Sequence, residues 1–360
     1  MRRLLAGFLI IASFAACFTG KPPATEKSAS AQQSTEQTFT NPIGNGADPW
    51  VIKDKGYYYT CYSSSAGKGK SGISVTKSEY LTKPGAGKNV WTSPDTGWNQ
   101  RNVWAPELHR IGKKWYIYYA AAKSGPPYIN QRAGVLESVS EDPQGSYVDK
   151  GVIKTGTDDK DYVKTIWAID MTVAKINKKW YATWSGWERN NTTDKTSQHI
   201  YIARLLNPWT MDSERVKISS PEQSWETGGP LDLNEGPEFL QRKGKTFIIY
   251  SARESWTKEY RLGQLKLKDG SDPLKPESWG KKGPVFEGTD QVFGVGHASF
   301  TTSPDDKEWW IFYHTKKSTD HGWDRSVCLQ PFTWNNEGEP VFGRPLPAGT
   351  PIKKPSGERP

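Results

Sequence analysis

Three carboxylates in this sequence stand just before aromatic-rich strand pairs, and they are the residues best suited to chemistry. They are Asp48, Asp170 and Glu235. Hydrolysis of a glycosidic bond needs one carboxyl group that protonates the leaving oxygen and a second that attacks the sugar or activates water. A third acid beside the proton donor raises the pKa of that donor, because two negative charges close together repel. The three acids therefore predict a glycoside-hydrolysing site, built at one phase of a repeating unit.

Each acid also has a plainer interpretation. Asp48 could be a turn residue, since Asp-Pro pairs are common in turns. Asp170 is flanked by apolar residues, and an unpaired acid buried there for structure alone would be costly. Glu107 and Glu238 compete with Glu235 for the role of proton donor. Because residues an odd number apart lie on opposite faces of a strand, we expect only one of Glu235 and Glu238 to face a common cavity.

The elements that would position these acids recur along the chain with a nearly constant period. Five aromatic runs lie 58, 65, 67 and 62 residues apart, counted between their first residues, Tyr57, Trp115, Trp180, Phe247 and Trp309. Each run is entered through a turn and is rich in β-branched and aromatic residues, as expected of the second strand of a hairpin. Five hairpin-led units of four strands each predict an all-β, five-bladed β-propeller with polar residues at one mouth of its channel.

Composition and charge are consistent with such a fold. Only 35% of the 360 residues are hydrophobic, yet 17 Trp, 16 Tyr and 12 Phe supply large apolar areas for a core of stacked sheets. The net charge of +9 comes from scattered lysine pairs such as Lys113-Lys114 and Lys178-Lys179, with no basic stripe. We therefore expect no nucleic-acid partner. A closed ring of blades leaves few free strand edges, so we expect a monomer.

The N-terminus has the features of a targeting segment. Arg2-Arg3 precede an apolar run over residues 4–16, which is too short to span a bilayer, and this pattern predicts a signal peptide over residues 1–17. Phe14-Ala15-Ala16-Cys17 resembles a bacterial lipoprotein signal, although the usual first residue is leucine. The resemblance implies that Cys17 is lipidated and that this anchor alone holds an exported protein to the cell envelope. The alternative is ordinary cleavage near Ala16 and secretion.

The remaining chain divides into three parts. Residues 18–37 are poor in apolar residues and predict a disordered tether. Residues 38–350 form the propeller domain, and residues 351–360 are expected to be a C-terminal tail. Cys61 and Cys328 lie in strand-like runs of the first and last units. They either pair as a disulfide in an oxidising compartment or remain two buried free thiols.

Five motifs, in order and in spacing, are similar to those of glycoside hydrolase family 43 over about residues 41–347. They are Gly46-Ala47-Asp48-Pro49, Val103-Trp104-Ala105-Pro106-Glu107-Leu108, Trp167-Ala168-Ile169-Asp170, Asn234-Glu235-Gly236-Pro237 and Gly296-His297-Ala298-Ser299-Phe300. The resemblance implies a five-bladed β-propeller and an inverting, single-displacement mechanism. It also implies that Asp48 is the general base, that Glu235 is the general acid, and that Asp170 tunes the pKa of the acid and orients it.

Three residues beside the acids are candidates for sugar binding: Trp104 because sugar C–H groups pack on aromatic faces, and Arg325 and His297 because the resemblance implies it. Trp104, Arg325 and His297 would bind the sugar, although Arg325 could instead form a surface ion pair with Asp324. His297 would also contact a structural calcium ion in the axial channel, while no cofactor would be required for the reaction. The other histidines show no metal spacing and are taken as structural or surface residues; they are His109, His199, His314 and His321.

Several further stretches resemble the exo-acting α-L-arabinofuranosidase branch of that family. Examples are Asn207-Pro208-Trp209-Thr210 and Tyr260-Arg261-Leu262-Gly263. This branch removes single arabinose units from plant cell-wall arabinan or arabinoxylan. The alternatives within the family are a β-xylosidase or an endo-arabinanase. An alternative from a different class is a non-catalytic carbohydrate-binding surface propeller, which would lack at least one of the three acids. An invertase-like propeller would begin with a tryptophan-methionine-asparagine-aspartate-proline motif, which Gly46-Ala47-Asp48-Pro49 lacks.

Overall fold

Short strands joined by tight turns form five antiparallel sheets of four or five strands and one two-stranded sheet in residues 37–359, the part of the chain that the computed structural model describes. One turn of 3-10 helix, Pro276–Ser278, is the only helix in that part. In chain order the strands are β1 (Thr38–Thr40), β2 (Gly44–Asn45), β3 (Trp50–Asp54), β4 (Tyr57–Ser65), β5 (Ser71–Val75), β6 (Lys88–Thr92), β7 (Arg101–Ile111), β8 (Lys114–Ala122), β9 (Arg132–Ser138), β10 (Tyr147–Val152), β11 (Ala168–Ile176), β12 (Lys179–Gly186), β13 (His199–Asn207), β14 (Thr210–Met211), β15 (Val216–Ser219), β16 (Asn234–Arg242), β17 (Lys245–Ala252), β18 (Arg261–Leu267), β19 (Trp279–Glu287), β20 (Phe293–Thr302), β21 (Trp309–Lys316), β22 (Arg325–Trp334), β23 (Pro340–Val341) and β24 (Pro351–Lys353).

Each of the five sheets is one blade, and its strands mostly follow one another along the chain. Blade 1 contains β3 to β6, blade 2 β7 to β10, blade 3 β11 to β15, blade 4 β16 to β19, and blade 5 β20 to β22 together with β2. The first strands of neighbouring blades touch in a closed cycle, from β3 to β7, β11, β16, β20 and back to β3. Such a cycle surrounds a central axis with the first strands. The all-β, five-bladed β-propeller predicted from the sequence is therefore confirmed.

The two ends of the described chain close the ring. Strand β2 pairs with β22, so an N-terminal segment supplies the fourth strand of blade 5. Strand β1 pairs with β24, where Ile352 is buried. Glu358 accepts hydrogen bonds from the backbone N–H groups of Leu81 (2.8 Å) and Thr82 (3.1 Å). The predicted separate tail over residues 351–360 is therefore wrong for residues 351–359, because they pair with and cap the folded domain.

The apolar core lies mainly between adjacent blades. Trp50 and Tyr59 of blade 1 pack in one cluster with Leu108 and Trp115 of blade 2. Burial of each large apolar side chain stabilises the fold by about 1.5–3 kcal/mol relative to leaving it in water. The aromatic runs that mark the repeat in the sequence are therefore the surfaces that hold the blades together.

Both cysteines of the described chain are buried free thiols in different blades. Of the two alternatives for Cys61 and Cys328, the structure therefore shows the unpaired one. The predicted signal peptide over residues 1–17, Cys17 itself and the tether up to Glu36 lie outside the described residues. No helix between residues 37 and 359 is long and apolar enough to span a bilayer.

Candidate active site

A β-bulge near the start of the inner strands determines where the acids point. Asp48, Ala105, Asp170, Gly236 and His297 occupy equivalent places in the five blades, and all have left-handed φ angles between 40° and 54°. In blades 2 to 5 the pairing register shifts at this place. Left-handed backbone costs a non-glycine residue on the order of 1–3 kcal/mol and concentrates at functional sites. The fold thus repeats one strained turn around a single mouth of the channel.

Glu235 differs from the other two acids in its place on this turn. Asp48 and Asp170 occupy the left-handed position, whereas Glu235 lies one residue earlier, and Gly236 takes the left-handed position in blade 4. The positions equivalent to Glu235 in blades 2 and 5 are Trp104 and Gly296. The expectation that all three acids share one phase of the repeat is therefore wrong for Glu235.

The bulge also overturns the argument from strand alternation. One extra residue between Glu235 and Glu238 resets the alternation, because Gly236 and Pro237 lie opposite the single residue Tyr250, so both glutamate side chains lie on the same face of the strand. Glu238 accepts a hydrogen bond from Thr172 of blade 3 (3.2 Å). Burial, and after it the charge of Glu238, raises the pKa of Glu107 in blade 2. Thr172 also interacts with Glu107 through its hydroxyl, so Glu107, Thr172 and Glu238 form one buried cluster across blades 2, 3 and 4.

Asp48 is surrounded by one arginine and two histidines, which together favour its ionised form. Its Oδ1 lies 3.2 Å from Nδ1 of His297, 3.4 Å from Nδ1 of His314 and 3.5 Å from Nη1 of Arg325. Burial alone would raise the pKa of Asp48, but His297, Arg325 and His314 outweigh burial and hold the pKa well below its usual value. The side chain keeps 25% exposure, so water can reach the carboxylate. Asp48 is thus an ionised carboxylate that can accept a proton.

Glu235 has the opposite electrostatic environment. Burial, together with the nearby negative charge of Asp48, raises the pKa of Glu235 to about 7, although the hydroxyls of Tyr260 and Ser255 and the charge of Arg325 partly oppose this rise. This carboxyl therefore holds a proton near neutral pH. Two carboxyls with pKa values pushed apart are what acid and base catalysis require.

Asp170 connects the other two acids. Its Oδ2 accepts a hydrogen bond from the backbone N–H of Gly236 (2.9 Å), directly beside Glu235. Burial raises the pKa of Asp170; His297 opposes the rise, while the charges of Glu235 and Asp48 add to it. The structure therefore brings Asp48, Asp170 and Glu235 into mutual electrostatic contact, although their residue numbers are far apart. Their individual catalytic roles remain predictions.

The predicted sugar-binding residues lie around the same mouth. His297 and Arg325 both contact Asp48, as described above. Arg325 does not pair with Asp324, which instead forms an ion pair with Lys317 (2.8 Å). Trp104 is half-buried beside the cluster that contains Ile169, the residue before Asp170. Contact of these three residues with a sugar remains a prediction.

His314 is a site residue that the sequence did not reveal. Its Nδ1 accepts a hydrogen bond from the backbone N–H of Asp48 (3.2 Å), and its ring stacks on that of Tyr260 with 5.3 Å between centroids. Burial lowers the pKa of His314 to about 4, so the ring is neutral at pH 7. The feature that places His314 at the site is its position opposite Gly296 in the β20–β21 pairing. The sequence alone does not give this strand register, so it could not identify His314 as a site residue.

A buried polar network fixes the segment that carries Glu235. Asn234 donates from Nδ2 to Glu226 (3.0 Å), and the same carboxylate accepts hydrogen bonds from the hydroxyl of Tyr250 (2.8 Å) and from Lys281 (3.0 Å). Asn234 and Glu226 are fully buried. Because each buried polar group has a partner, the network holds the start of β16 in one position.

We expect Glu226→Ala to lower the free energy of unfolding by roughly 3–5 kcal/mol, because it leaves the partly buried charge of Lys281 without its main partner. Urea denaturation followed by circular dichroism measures this change. The matched control is Glu222→Ala, which removes an exposed carboxylate 3.8 Å from the same lysine. We expect Glu222→Ala to lower the free energy of unfolding by less than about 1 kcal/mol. Equal losses in the two variants would contradict the proposed importance of the network.

The surroundings of His297 provide few ligands for the predicted calcium ion. Calcium prefers six to eight oxygen ligands. His297 instead contacts the carboxylate of Asp48, which is already in contact with Arg325 and His314, and, among the described residues, the other carboxylate close enough to interact with it is that of Asp170, which is bonded to the Gly236 N–H. Within residues 37–359 no group of three or more histidine, cysteine, aspartate or glutamate residues is arranged to hold a metal. These residues do not fit a directly coordinated calcium ion, and no step below depends on one.

Comparison with known families and proteins agrees with this geometry. The sequence profile described as glycosyl hydrolases family 43 matches residues 39–340. An extracellular exo-alpha-(1->5)-L-arabinofuranosidase of Streptomyces avermitilis is 34% identical over 98% of this chain and 73% of its own length. Alpha-L-arabinofuranosidase 43 of Humicola insolens is 32% identical over 96% of this chain and 69% of its own.

A solved structure supports the same relationship. The crystal structure of an alpha-L-arabinofuranosidase from Lactobacillus brevis has a TM-score of 0.75 and 33% identity, and the match covers 86% of this chain and 98% of that one. The similarity therefore extends over nearly the whole of that protein.

Proposed function

The chain belongs to glycosyl hydrolases family 43 and is a glycosidase, and on this basis we propose that it releases terminal α-L-arabinofuranosyl units from arabinan, arabinoxylan or their oligosaccharides with inversion. The observation that carries the proposal is that Asp48 and Glu235 lie close together at one channel mouth in opposite surroundings, where Asp48 contacts Arg325 and His297 and Glu235 is buried with a raised pKa. The arabinofuranosidase names of relatives from Streptomyces avermitilis and Humicola insolens support the choice of sugar.

The proposed reaction is a single displacement. Glu235 donates its proton to the glycosidic oxygen as the bond from that oxygen to the anomeric carbon breaks. Asp48 accepts a proton from a water molecule whose oxygen forms the new bond to the anomeric carbon from the opposite face. Asp170 accepts a hydrogen bond from the backbone N–H of Gly236, next to Glu235, and thereby keeps that carboxyl oriented; when ionised, its negative charge would favour the protonated form of Glu235. Arg325 keeps Asp48 ionised until it accepts the proton.

The pH dependence of kcat/KM follows from these two acids. The raised pKa of Glu235 means that its proton is present below about pH 7 and is lost as the pH rises through that value. The depressed pKa of Asp48 keeps the base ionised at every pH where the protein is assayed. We expect kcat/KM for an arabinofuranoside to fall about tenfold per unit above pH ~7. Constant kcat/KM up to pH ~9 would exclude Glu235 as the proton donor.

We propose that the reaction needs no cofactor. The steps above move protons between carboxyls, water and the leaving oxygen only. Treatment with EDTA followed by desalting is therefore expected to change kcat/KM by less than about twofold. A calcium ion held through water in the channel would show itself as a lower melting temperature after the same treatment. A large loss of kcat/KM that calcium restores would contradict the proposal.

We propose that the protein is exported and attached to the cell envelope through lipidated Cys17. Two relatives from Streptomyces are named extracellular enzymes, which supports export. Metabolic labelling with a radioactive fatty acid tests the anchor, since Cys17→Ser should abolish the label and release the enzyme. Label that persists in the variant would contradict lipidation at this residue.

We propose a monomer, and gel filtration that gives a dimer mass would overturn this.

A substrate panel separates the proposed activity from its alternatives. It contains p-nitrophenyl α-L-arabinofuranoside, p-nitrophenyl β-D-xylopyranoside, linear arabinan and linear α-1,5-arabino-oligosaccharides. We expect hydrolysis of the first, and arabinose as the earliest product from the polymer. Faster release from the xyloside would indicate a β-xylosidase, and early release of oligosaccharides an endo-arabinanase. Binding of arabinan with no hydrolysis of any compound would indicate a carbohydrate-binding propeller.

A further inference from the structure

Trp323 is the only tryptophan in residues 37–359 that is largely exposed, at 61% of its surface. It lies in the loop between β21 and β22. This loop is at the active-site end of blade 5, because Lys316 at the end of β21 pairs with Phe293 at the start of β20, near the bulge at His297. Exposed apolar residues are common on protein surfaces, so exposure alone indicates no function. The contacts of this indole distinguish it.

Trp323 is held in place by contacts on two sides. Its ring packs against Trp256 of the β17–β18 loop, with 5.2 Å between centroids and 50° between planes. The backbone N–H of Gly322 donates to the carbonyl oxygen of Trp256 (3.0 Å), and Lys316 donates to the carbonyl oxygen of Gly322 (2.7 Å). A loop from blade 4 and a loop from blade 5 therefore hold an aromatic pair, which leaves one indole open to solvent.

The aromatic pair is connected to both catalytic acids. Ser255, next to Trp256, is buried and its hydroxyl lies close enough to Glu235 to affect that carboxyl. On the other side, the guanidinium of Arg325 lies 5.4 Å from the centre of the Trp323 ring and contacts Asp48. The pair thus occupies the rim between the predicted proton donor and the predicted base.

We propose that Trp256 and Trp323 form the binding platform for the sugar on the leaving-group side of the bond, an inference that rests on the proposed function. The leaving oxygen must lie beside Glu235, so the sugar attached to it lies over the loop that follows Ser255. An aromatic face packs against the apolar C–H face of a sugar ring and removes both from water. The platform selects substrates whose leaving group is itself a sugar, such as the next residue of an arabinan chain.

The test compares two substrates that share the arabinofuranosyl unit. α-1,5-Arabinotriose has a sugar leaving group, whereas α-L-arabinofuranosyl azide has a small leaving group without a ring. We expect Trp323→Ala to reduce kcat/KM for arabinotriose by roughly tenfold, mainly through KM, and to change kcat/KM for the azide by less than about twofold. Trp323→Phe, which keeps an aromatic face, should recover most of the loss.

A matched control is Trp209→Ala. Trp209 is also a partly exposed tryptophan, with Lys150 over its ring, but it follows the far end of β13, away from the channel mouth. We expect Trp209→Ala to leave kcat/KM unchanged for both substrates. Equal losses on both substrates in Trp323→Ala would mean that the indole only supports Arg325 and Asp48, and no loss on arabinotriose would mean that no sugar lies there. Either result overturns the platform. Wild-type protein inactive on both arabinosides would instead overturn the proposed function.

Discussion

Asp48→Asn is expected to reduce kcat/KM for every arabinofuranoside by at least about 10³-fold while the protein stays folded. The amide cannot accept a proton from the attacking water, and loss of a general base costs about 10²–10⁴-fold. Asparagine is the suitable replacement because it tolerates the left-handed backbone, with φ of 50° at this position. Initial rates on p-nitrophenyl α-L-arabinofuranoside, with circular dichroism of the same sample, measure the effect.

Asp306→Asn is the matched control for this variant. Asp306 also has a left-handed backbone (φ 59°) and pairs with a cation, Lys53 (2.8 Å), but it lies in the turn at the opposite end of blade 5. It tests whether loss of an aspartate charge from a strained turn is sufficient to reduce the rate. We expect kcat/KM to stay within about twofold of wild type. Comparable losses in both variants, or more than a tenth of wild-type activity in Asp48→Asn, would remove Asp48 from its proposed role.

Glu235→Ala is expected to lower the rate by an amount that depends on the leaving group. When an arabino-oligosaccharide is cleaved, the departing sugar is a poor alkoxide leaving group and needs protonation. We therefore expect kcat/KM for these substrates to fall about 10³-fold or more. Aryl arabinofuranosides with acidic phenols need little protonation and should lose about tenfold or less. Measurement of kcat/KM for a series of phenols of increasing pKa gives a steeper dependence in the variant than in wild type.

Glu238→Gln is the comparison that assigns the proton donor. Glu238 is buried in the same channel and bonded to Thr172, and the sequence allowed it as a rival of Glu235. If Glu238 has only a structural role, Glu238→Gln should lower kcat/KM for all substrates by the same factor. A steeper dependence of kcat/KM on leaving-group pKa in Glu238→Gln, but not in Glu235→Ala, would instead identify Glu238 as the proton donor.

The period of the aromatic runs was sufficient to predict the five blades, because β-strand alternation and hairpin turns are local properties of the sequence. The positions of Asp48 and Asp170 followed from the same period. The pairing of the two chain ends was harder to predict from the sequence. It joins β1 and β24, which are more than 300 residues apart and only 3 residues long each. Such pairing depends on the assembled blades, so residues 351–359 were wrongly predicted as a tail.

The details of the site depended on one backbone feature that composition does not encode. The bulge at Gly236-Pro237 resets the alternation of β16, and this reset is why Glu238 shares the channel with Glu235. A strand of regular geometry would have separated them. The contact of His314 with Asp48 likewise depends on how blade 5 meets the loop before β3. Family membership and fold were confirmed, whereas the separate roles of the acids stay predictions.

The most direct test is proton magnetic resonance of the sugar released in the first seconds of hydrolysis of an α-L-arabinofuranoside. Activation of water by Asp48 and protonation by Glu235 predict the β-anomer as the first product, followed by mutarotation to the equilibrium mixture of anomers. This outcome requires carboxyls about 6.5–9.5 Å apart with water between them. The α-anomer as the first product would mean attack by a carboxylate at about 5 Å and would contradict the account.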